Sequence, residues 1–296
     1  VSGSITVAAV QAAPLDVAGL PVFGREDTIA QFADDVHRVR STVTGPALIV
    51  YPEIHLFGTE NADTLAAAAE PLDGPLMAAL GQVAREADAW LIPGSVCEQG
   101  SDGEFFNTAP VLAPDGRLVA SYRKIFPWRP FEKYTPGSRF VTADIPDVGR
   151  LGLSICYDAW FPEVSRHLAW MGADVIVNVV KTTSEDRGQE LVLARANSIV
   201  NQVFTVSVNC AGPVGKGRSI IVDPEGAVLQ ESSDETSGVL CQRIDFGAVA
   251  AVRERGTAGT NRMWDQFGPL DRPIPLPLYE GRIEPQRWSP SNDHAE

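Results

Sequence analysis

Seven short apolar runs punctuate the chain: SITVAAV at 4–10, ALIVY at 47–51, WLIPGSV at 90–96, LGLSIC at 151–156, DVIVNVV at 174–180, VFTVSVN at 203–209 and GVLCQRI at 238–244. Several are continuously apolar rather than alternating, as expected of strands covered on both faces or packed in a sandwich. Between them the period changes. In REDTIAQFADDVHRVR, Ile29, Phe32, Val36 and Val39 recur at three- and four-residue steps and predict a helix with one apolar stripe. GPLMAALGQVAREA repeats this with Leu76, Leu80, Val83 and Ala87, and Pro75 suits a first helical turn. VLAPDGRLVAS and IIVDPEGAVLQ each set Pro, an acid and Gly between apolar arms. Both predict hairpins, with Gly supplying the positive φ of the turn.

Taken in order, these elements form a duplication. Strand, helix, strand, helix, strand and hairpin run from residue 4 to about 122, and the same series returns from 150 to about 230. An α/β chain built twice in this way predicts a four-layer α-β-β-α sandwich with an internal pseudo-twofold. The alternative is an open doubly wound sheet, which a hairpin at the end of each half disfavours. No Pro/Gly linker divides the chain, so residues 1–267 read as one domain and 268–296, proline-rich and aperiodic, as an extended tail.

Composition narrows the function. With 296 residues the chain can bury a large core, and 44% apolar with 21% charged residues excludes disorder over the whole chain. The net charge of −14 excludes nucleic acid and anionic membranes as partners, since both need a basic face. Cys97, Cys156, Cys210 and Cys241 form no C-x-x-C pair, which fits a reducing, cytoplasmic setting. No apolar run approaches the roughly 20 residues that cross a bilayer. VSGSITVAAVQAAP lacks the basic start and apolar core of a signal peptide.

Cysteine is most often a small core residue. Cys156, however, ends the LGLSIC run just before a helix that FPEVSRHLAWM predicts. Glu53 stands just past ALIVY, and Lys124 follows the hairpin strand LVASYR, so all three lie at ends of elements, where α/β folds collect their chemistry. A free thiol is mostly protonated at neutral pH and needs a base or a field that favours thiolate. A helix N-terminus supplies part of that field. Glu53 can take the proton, and Lys124 can stabilise thiolate and oxyanion. Among the four histidines, His167 is about 16 Å along a helix from Cys156, and only His55 is positionally suited to a cysteine–histidine pair. No G-x-S-x-G elbow, H-E-x-x-H cluster or Walker loop is present, so neither a metal nor a cofactor is expected.

YPEIHLFG, YRKIFPWRPFEKYTPG and LGLSICYDAWFPE resemble, in order and position, three motif blocks of the nitrilase superfamily of carbon–nitrogen hydrolases. The resemblance runs from about residue 5 to 245, with ARANSIVNQVFTVSVNCAG similar to a fourth block. It implies the same sandwich, a Glu53 general base, a Lys124 transition-state stabiliser, a Cys156 nucleophile and a second glutamate at Glu132. It also implies an oxyanion hole formed by Lys124 with the Tyr157 N–H, and the homo-oligomers, dimeric or larger, common in that superfamily. Trp128, Trp160, Asn178 and His55 are candidates for contact with substrate. CYD at the nucleophile resembles the amidase branches, with PW-x-P-x-E similar to aliphatic amidases and formamidases, and AWFPE with EKY similar to N-carbamoylputrescine amidases. Omega-amidases carry an arginine where Trp160 stands. The pocket is therefore expected to be narrow, aromatic and poorly equipped for anions unless Arg129 serves. The expected activity is hydrolysis of a small non-peptide amide to an acid and ammonia through a thioester. Hydrolysis of an N-carbamoyl amine, with release of carbon dioxide, is the enzymatic alternative, and a silent binding module the non-enzymatic one.

Overall fold

The computed structural model of the chain describes residues 3–15, 26–58, 61–284, 287 and 290. Its first half contains β1 (Ser4–Gln11), α1 (Glu26–Ser41), β2 (Ala47–Val50), α2 (Ala62–Ala67), α3 (Pro75–Ala87), β3 (Trp90–Ile92), β4 (Val96–Gln99), β5 (Phe105–Leu112) and β6 (Leu118–Arg123). The second contains β7 (Thr142–Ile145), β8 (Gly149–Ile155), α4 (Pro162–Trp170), β9 (Val175–Val180), α5 (Arg187–Asn201), β10 (Phe204–Asn209), β11 (Ile220–Val222) and β12 (Val228–Glu231). β13 (Gly238–Asp245), α6 (Gly247–Arg255), β14 (Ile274–Leu276) and β15 (Gly281–Ile283) complete the described chain.

Two sheets result. One runs β13-β1-β2-β3-β5-β4 with β6 paired to β5, and the other runs β12-β11-β10-β9-β8-β7. β1 and β2 are parallel with Ala9 opposite Val50, as β8 and β9 are with Ile155 opposite Val179. β13 lies antiparallel outside β1, and β7 antiparallel outside β8. The duplication is therefore real in topology, down to these flanking strands.

Alternation along the strands separates the layers, because successive side chains point to opposite faces. Ala8, Val10, Ile49 and Tyr51 face outward to Phe32, Val36 and Val39 of α1 and to Leu80 and Val83 of α3. Val7, Ala9, Leu48 and Val50 face the other way, packing between the sheets against Leu153, Ile155, Val177, Val179, Val206 and Val208. Beyond the second sheet, Leu168 and Ala169 of α4 cover Ile176, and Leu191 and Ala194 of α5 cover Ile220 and Val222. Emptying one such position, as in Phe32→Ala, costs about 3–5 kcal/mol.

Two sequence expectations need correction. WLIPGSV is not one strand: Pro93 and Gly94 break it into β3 and β4, both antiparallel to β5. Gly94 has φ +91, and a Cβ there would stand 1.8 Å from Pro52 O, so the backbone of the Glu53 loop occupies the space a side chain would take. The tail is not wholly aperiodic either, since β14 and β15 pair antiparallel around a turn with Glu280 in the left-handed region. Leu270, Leu278 and Tyr279 are exposed on it, and Trp288 lies outside the described residues.

Candidate active site

Glu53 sits three residues past β2 in a loop whose N–H at Glu53 donates to Val180 O of the second sheet, 3.3 Å away. Its Oε1 accepts from Asn107 Nδ2 at 2.8 Å and from Lys124 Nζ at 2.9 Å. Lys124 follows β6 directly and is fixed through its backbone, donating to Asn107 O and accepting from Gly137 N. The same ammonium donates to Glu132 Oε1 at 2.9 Å, while Glu132 Oε2 accepts from Trp128 N at 2.7 Å. Lys124 is thus a fully buried cation shared by two carboxylates. Burial works against its charge, but Glu53, Cys156 and Glu132 outweigh it and hold the ammonium well above the usual lysine range. Burial raises the Glu132 carboxyl, with Lys124 opposing and Glu53 adding to the rise.

Cys156 begins a 3-10 turn, Cys156–Trp160, that separates β8 from α4. α4 begins at Pro162, where FPEVSRHLAWM places it, and the 3-10 turn sets its N-terminus six residues past the thiol. Cys156 has φ +46, a left-handed conformation that a non-glycine residue holds only at a cost of about 1–2 kcal/mol. Asp158, wholly buried, pins the turn: it accepts from Ile155 N at 3.0 Å, Phe126 N at 2.9 Å and Tyr122 OH at 2.8 Å. Burial lifts its carboxyl to about 6, against the pull of Lys124 and these three donors. The Cys156 thiol is pushed up by burial and by Glu53, with Lys124 opposing and Glu190 and Glu132 adding to the rise.

Glu53, Glu132 and Cys156 line one solvent-open cleft with Phe105, Trp128 and Phe131. Trp128 and Phe131 pack with ring centroids 4.4 Å apart at its mouth. Lys133 and Lys181 also line it, two cations that the expectation of a cleft poorly equipped for anions leaves out of account. Tyr157 instead packs with both Trp160 and Phe161, and Trp160 Nε1 reaches Glu190 Oε1 at 3.5 Å. Asn178 lies beneath the turn, donating to Cys156 O at 3.5 Å and accepting from Ser154 Oγ at 3.1 Å. His55 lines a different cavity, packed on Tyr51 at 4.8 Å, and burial holds its imidazole down at about 4, neutral.

Sequence reasoning passed over Asn107, Asp158, Thr182, Glu190 and Arg187. Asn107 left one trace, a polar residue inside the apolar strand FFNTAPVL. Asp158 was visible only as part of CYD, and nothing local indicates that its carboxylate gathers donors from two other segments. Among the described residues no group of three or more His, Cys, Asp or Glu is placed to hold a metal ion. No described helix is long and apolar enough to cross a membrane.

A thiol on a strained turn, a buried cation and a carboxylate on one cleft wall can carry out acyl transfer. Comparison with known proteins points the same way. The model of the carbon-nitrogen hydrolase family matches residues 6–254. An (R)-stereoselective amidase from a Pseudomonas species is 34% identical over 242 residues, spanning 78% of this chain and 85% of that protein. A formamidase from Pseudomonas syringae pv. tomato is 30% identical over 223 residues, spanning 74% of this chain and 65% of that one. In fold, the chain is similar to Saccharomyces cerevisiae Nit3, a member of branch 10 of the nitrilase superfamily, with a TM-score of 0.74 at 24% identity over 85% and 93% of the two chains. By its family match and these amidase relatives, the chain belongs to the carbon–nitrogen hydrolases, as an amidase-type enzyme acting on bonds other than peptide bonds.

Proposed function

We propose that the enzyme converts a small non-peptide amide and water into a carboxylic acid and ammonia through a thioester on Cys156. The observation that carries this reading is the Lys124 ammonium, held between Glu53 and Glu132, whose carboxylates share a cleft with the Cys156 thiol. Glu53 takes the thiol proton as Sγ attacks the amide carbon. The resulting oxyanion is met by Lys124 and the Tyr157 N–H. Collapse breaks the C–N bond, and the leaving nitrogen departs as ammonia with the proton that Glu53 returns. Water, deprotonated by Glu53, then attacks the thioester; acid leaves and the thiol regains its proton. Glu132 holds Lys124 between two acceptors, so the cation cannot swing away as charge develops. Relatives described as an (R)-stereoselective amidase and a formamidase support an amide substrate.

The test is ammonia release from a panel of amides, N-carbamoyl amines and nitriles by wild type and Cys156→Ala. An acyl adduct on Cys156 by intact mass, and activity confined to wild type, is the expected result. Residual turnover above about one per cent in Cys156→Ala removes the thioester. Cys97, Cys156, Cys210 and Cys241 are thiols outside any disulfide, which suits a reducing, cytoplasmic setting. Leu270, Leu278 and Tyr279 are apolar and exposed, and we assign them to contact between subunits of a homo-oligomer. Light scattering on protein truncated after Phe267 should show a smaller assembly; an unchanged one overturns that role.

A further inference from the structure

Cys156 faces two carboxylate systems, and the reaction above uses only one. The second reaches it from α5. Thr182 Oγ1 lies 4.0 Å from Cys156 Sγ and 2.8 Å from each oxygen of Glu190. Thr182 is held on both sides of its backbone, its N–H donating to Asn209 Oδ1 at 2.8 Å and its carbonyl accepting from Asn209 Nδ2 at 3.3 Å. Glu190 accepts from Arg187 Nη1 at 2.9 Å, and Arg187 donates onward to Gly217 O and Arg218 O. Thr182, Glu190 and Arg187 are all buried, and none lines the cleft.

A hydroxyl has one proton to give. A carboxylate paired with Arg187 only accepts, so Thr182 donates to Glu190 and turns its lone pairs toward Sγ. At that contact it can accept from an S–H but has nothing to offer a thiolate. The other charged groups around the thiol are Glu53, Glu132 and Lys124 from the first half, Asp158 in its own turn, Lys181 after β9, and Arg187 behind Glu190. Burial, Glu53, Glu190 and Glu132 disfavour the thiolate, and Lys124 alone among the strongest influences favours it.

We propose that Thr182 and Glu190 are positioning residues that keep Cys156 an un-ionised thiol at rest, through a hydroxyl whose only proton is committed to Glu190. The S–H proton then leaves when a substrate carbonyl is seated and Glu53 takes it, and between turnovers the thiol resists alkylation and oxidation. The role matters to the hydrolysis proposed above, but the state of the thiol is measurable without turnover, so the two ideas fail separately.

The experiment is the pH dependence of iodoacetamide alkylation, counted on the Cys156 peptide by mass because the exposed Cys241 reacts as well. Glu190→Gln removes the charge and lets the Thr182 hydroxyl donate to sulfur. Its alkylation midpoint should fall by about one pH unit, with alkylation at neutral pH up to about tenfold faster. In a Thr182→Val background the same change should shift the midpoint by less than half as much, while Thr182→Ser keeps the wild-type profile. Glu190→Gln combined with Arg187→Met leaves no unpaired buried charge, and if the single variant folds poorly the double variant's midpoint should still fall, by less, because Arg187 also favours the thiolate. An unchanged or raised midpoint overturns the proposal. Equal shifts with and without the Thr182 hydroxyl overturn its part in it.

Discussion

Tyr122 and Asp158 are joined by a 2.8 Å hydrogen bond that ties the strand leading into Lys124 to the turn that begins at Cys156. One residue belongs to the first half of the chain and the other to the second. Asp158 also holds Phe126 N and Ile155 N, so its carboxyl fixes the spacing of thiol and ammonium.

That carboxyl predicts a pH dependence of stability. Its folded value near 6 exceeds the ordinary 3.8, so the folded chain binds this proton more tightly than the unfolded one. The contribution is fully present below about pH 4 and is lost as pH rises through 6. Asp158→Asn has no proton to lose. Urea unfolding of both proteins between pH 4.5 and 7.5 should show the wild type losing ground to the variant as pH rises, by at most about 3 kcal/mol. A wild-type advantage that grows with pH would contradict this.

Removing the shared cation should hurt twice. Lys124→Met leaves Glu53 and Glu132 facing one another without their common donor. Activity should vanish, and stability should fall by about 3–5 kcal/mol, the usual cost of stranding a buried charge. Adding Glu132→Gln should restore part of the stability and none of the activity, as read by denaturant unfolding and ammonia release.

The left-handed backbone at Cys156 makes a side chain at this position costly to the fold. Cys156→Ala and Cys156→Gly both lack the thiol and should both be inactive. Glycine accepts this conformation and alanine does not, so the glycine variant should be the more stable by about 1 kcal/mol. Paired thermal and urea unfolding measures the difference, and equal stabilities would show that the turn carries no strain.

Lys181 follows β9, the parallel neighbour of the strand that delivers Cys156, and lines the cleft with Lys133. An amide bearing a distal carboxylate should therefore lose at least about fivefold in kcat/KM in Lys181→Ala relative to a neutral amide of equal length, the scale of about 1 kcal/mol for one exposed charge pair. The readout is the ratio of the two substrates, which a general loss of activity leaves unchanged.

Glu53, Lys124 and Cys156 were legible in the sequence because each closes a recognisable apolar run, where period and punctuation reveal an element's end. Glu132 was readable from its motif alone. The groups that hold these side chains were not, because their partners are distant: Asn107 meets Glu53 across 54 positions and Tyr122 meets Asp158 across 36. The break within WLIPGSV was hidden for a similar reason. Pro93 and Gly94 are legible as a turn, but the backbone that needs the space, at Pro52, comes from the loop after β2. Trp160 is a candidate pocket wall by its nearness to Cys156, yet the 3-10 turn between β8 and α4 packs it with Tyr157 and toward Glu190.

Glu53 and Lys124 come from the first repeat, and Cys156 from the second. The duplication has therefore not produced two workshops but one, shared across a seam. At the matching end of β1, where the second repeat has its thiol, Gln11 instead knots the chain together, donating to Ser232 Oγ and to the carbonyls of Asp234 and Thr236. Neither repeat alone owns a usable set of reactive groups. Any change that lets one sheet slide over the other alters the spacing of the Cys156 sulfur and the Glu53 carboxylate before it unfolds either half, and on the reaction proposed above turnover becomes the most sensitive gauge of how the two copies are seated.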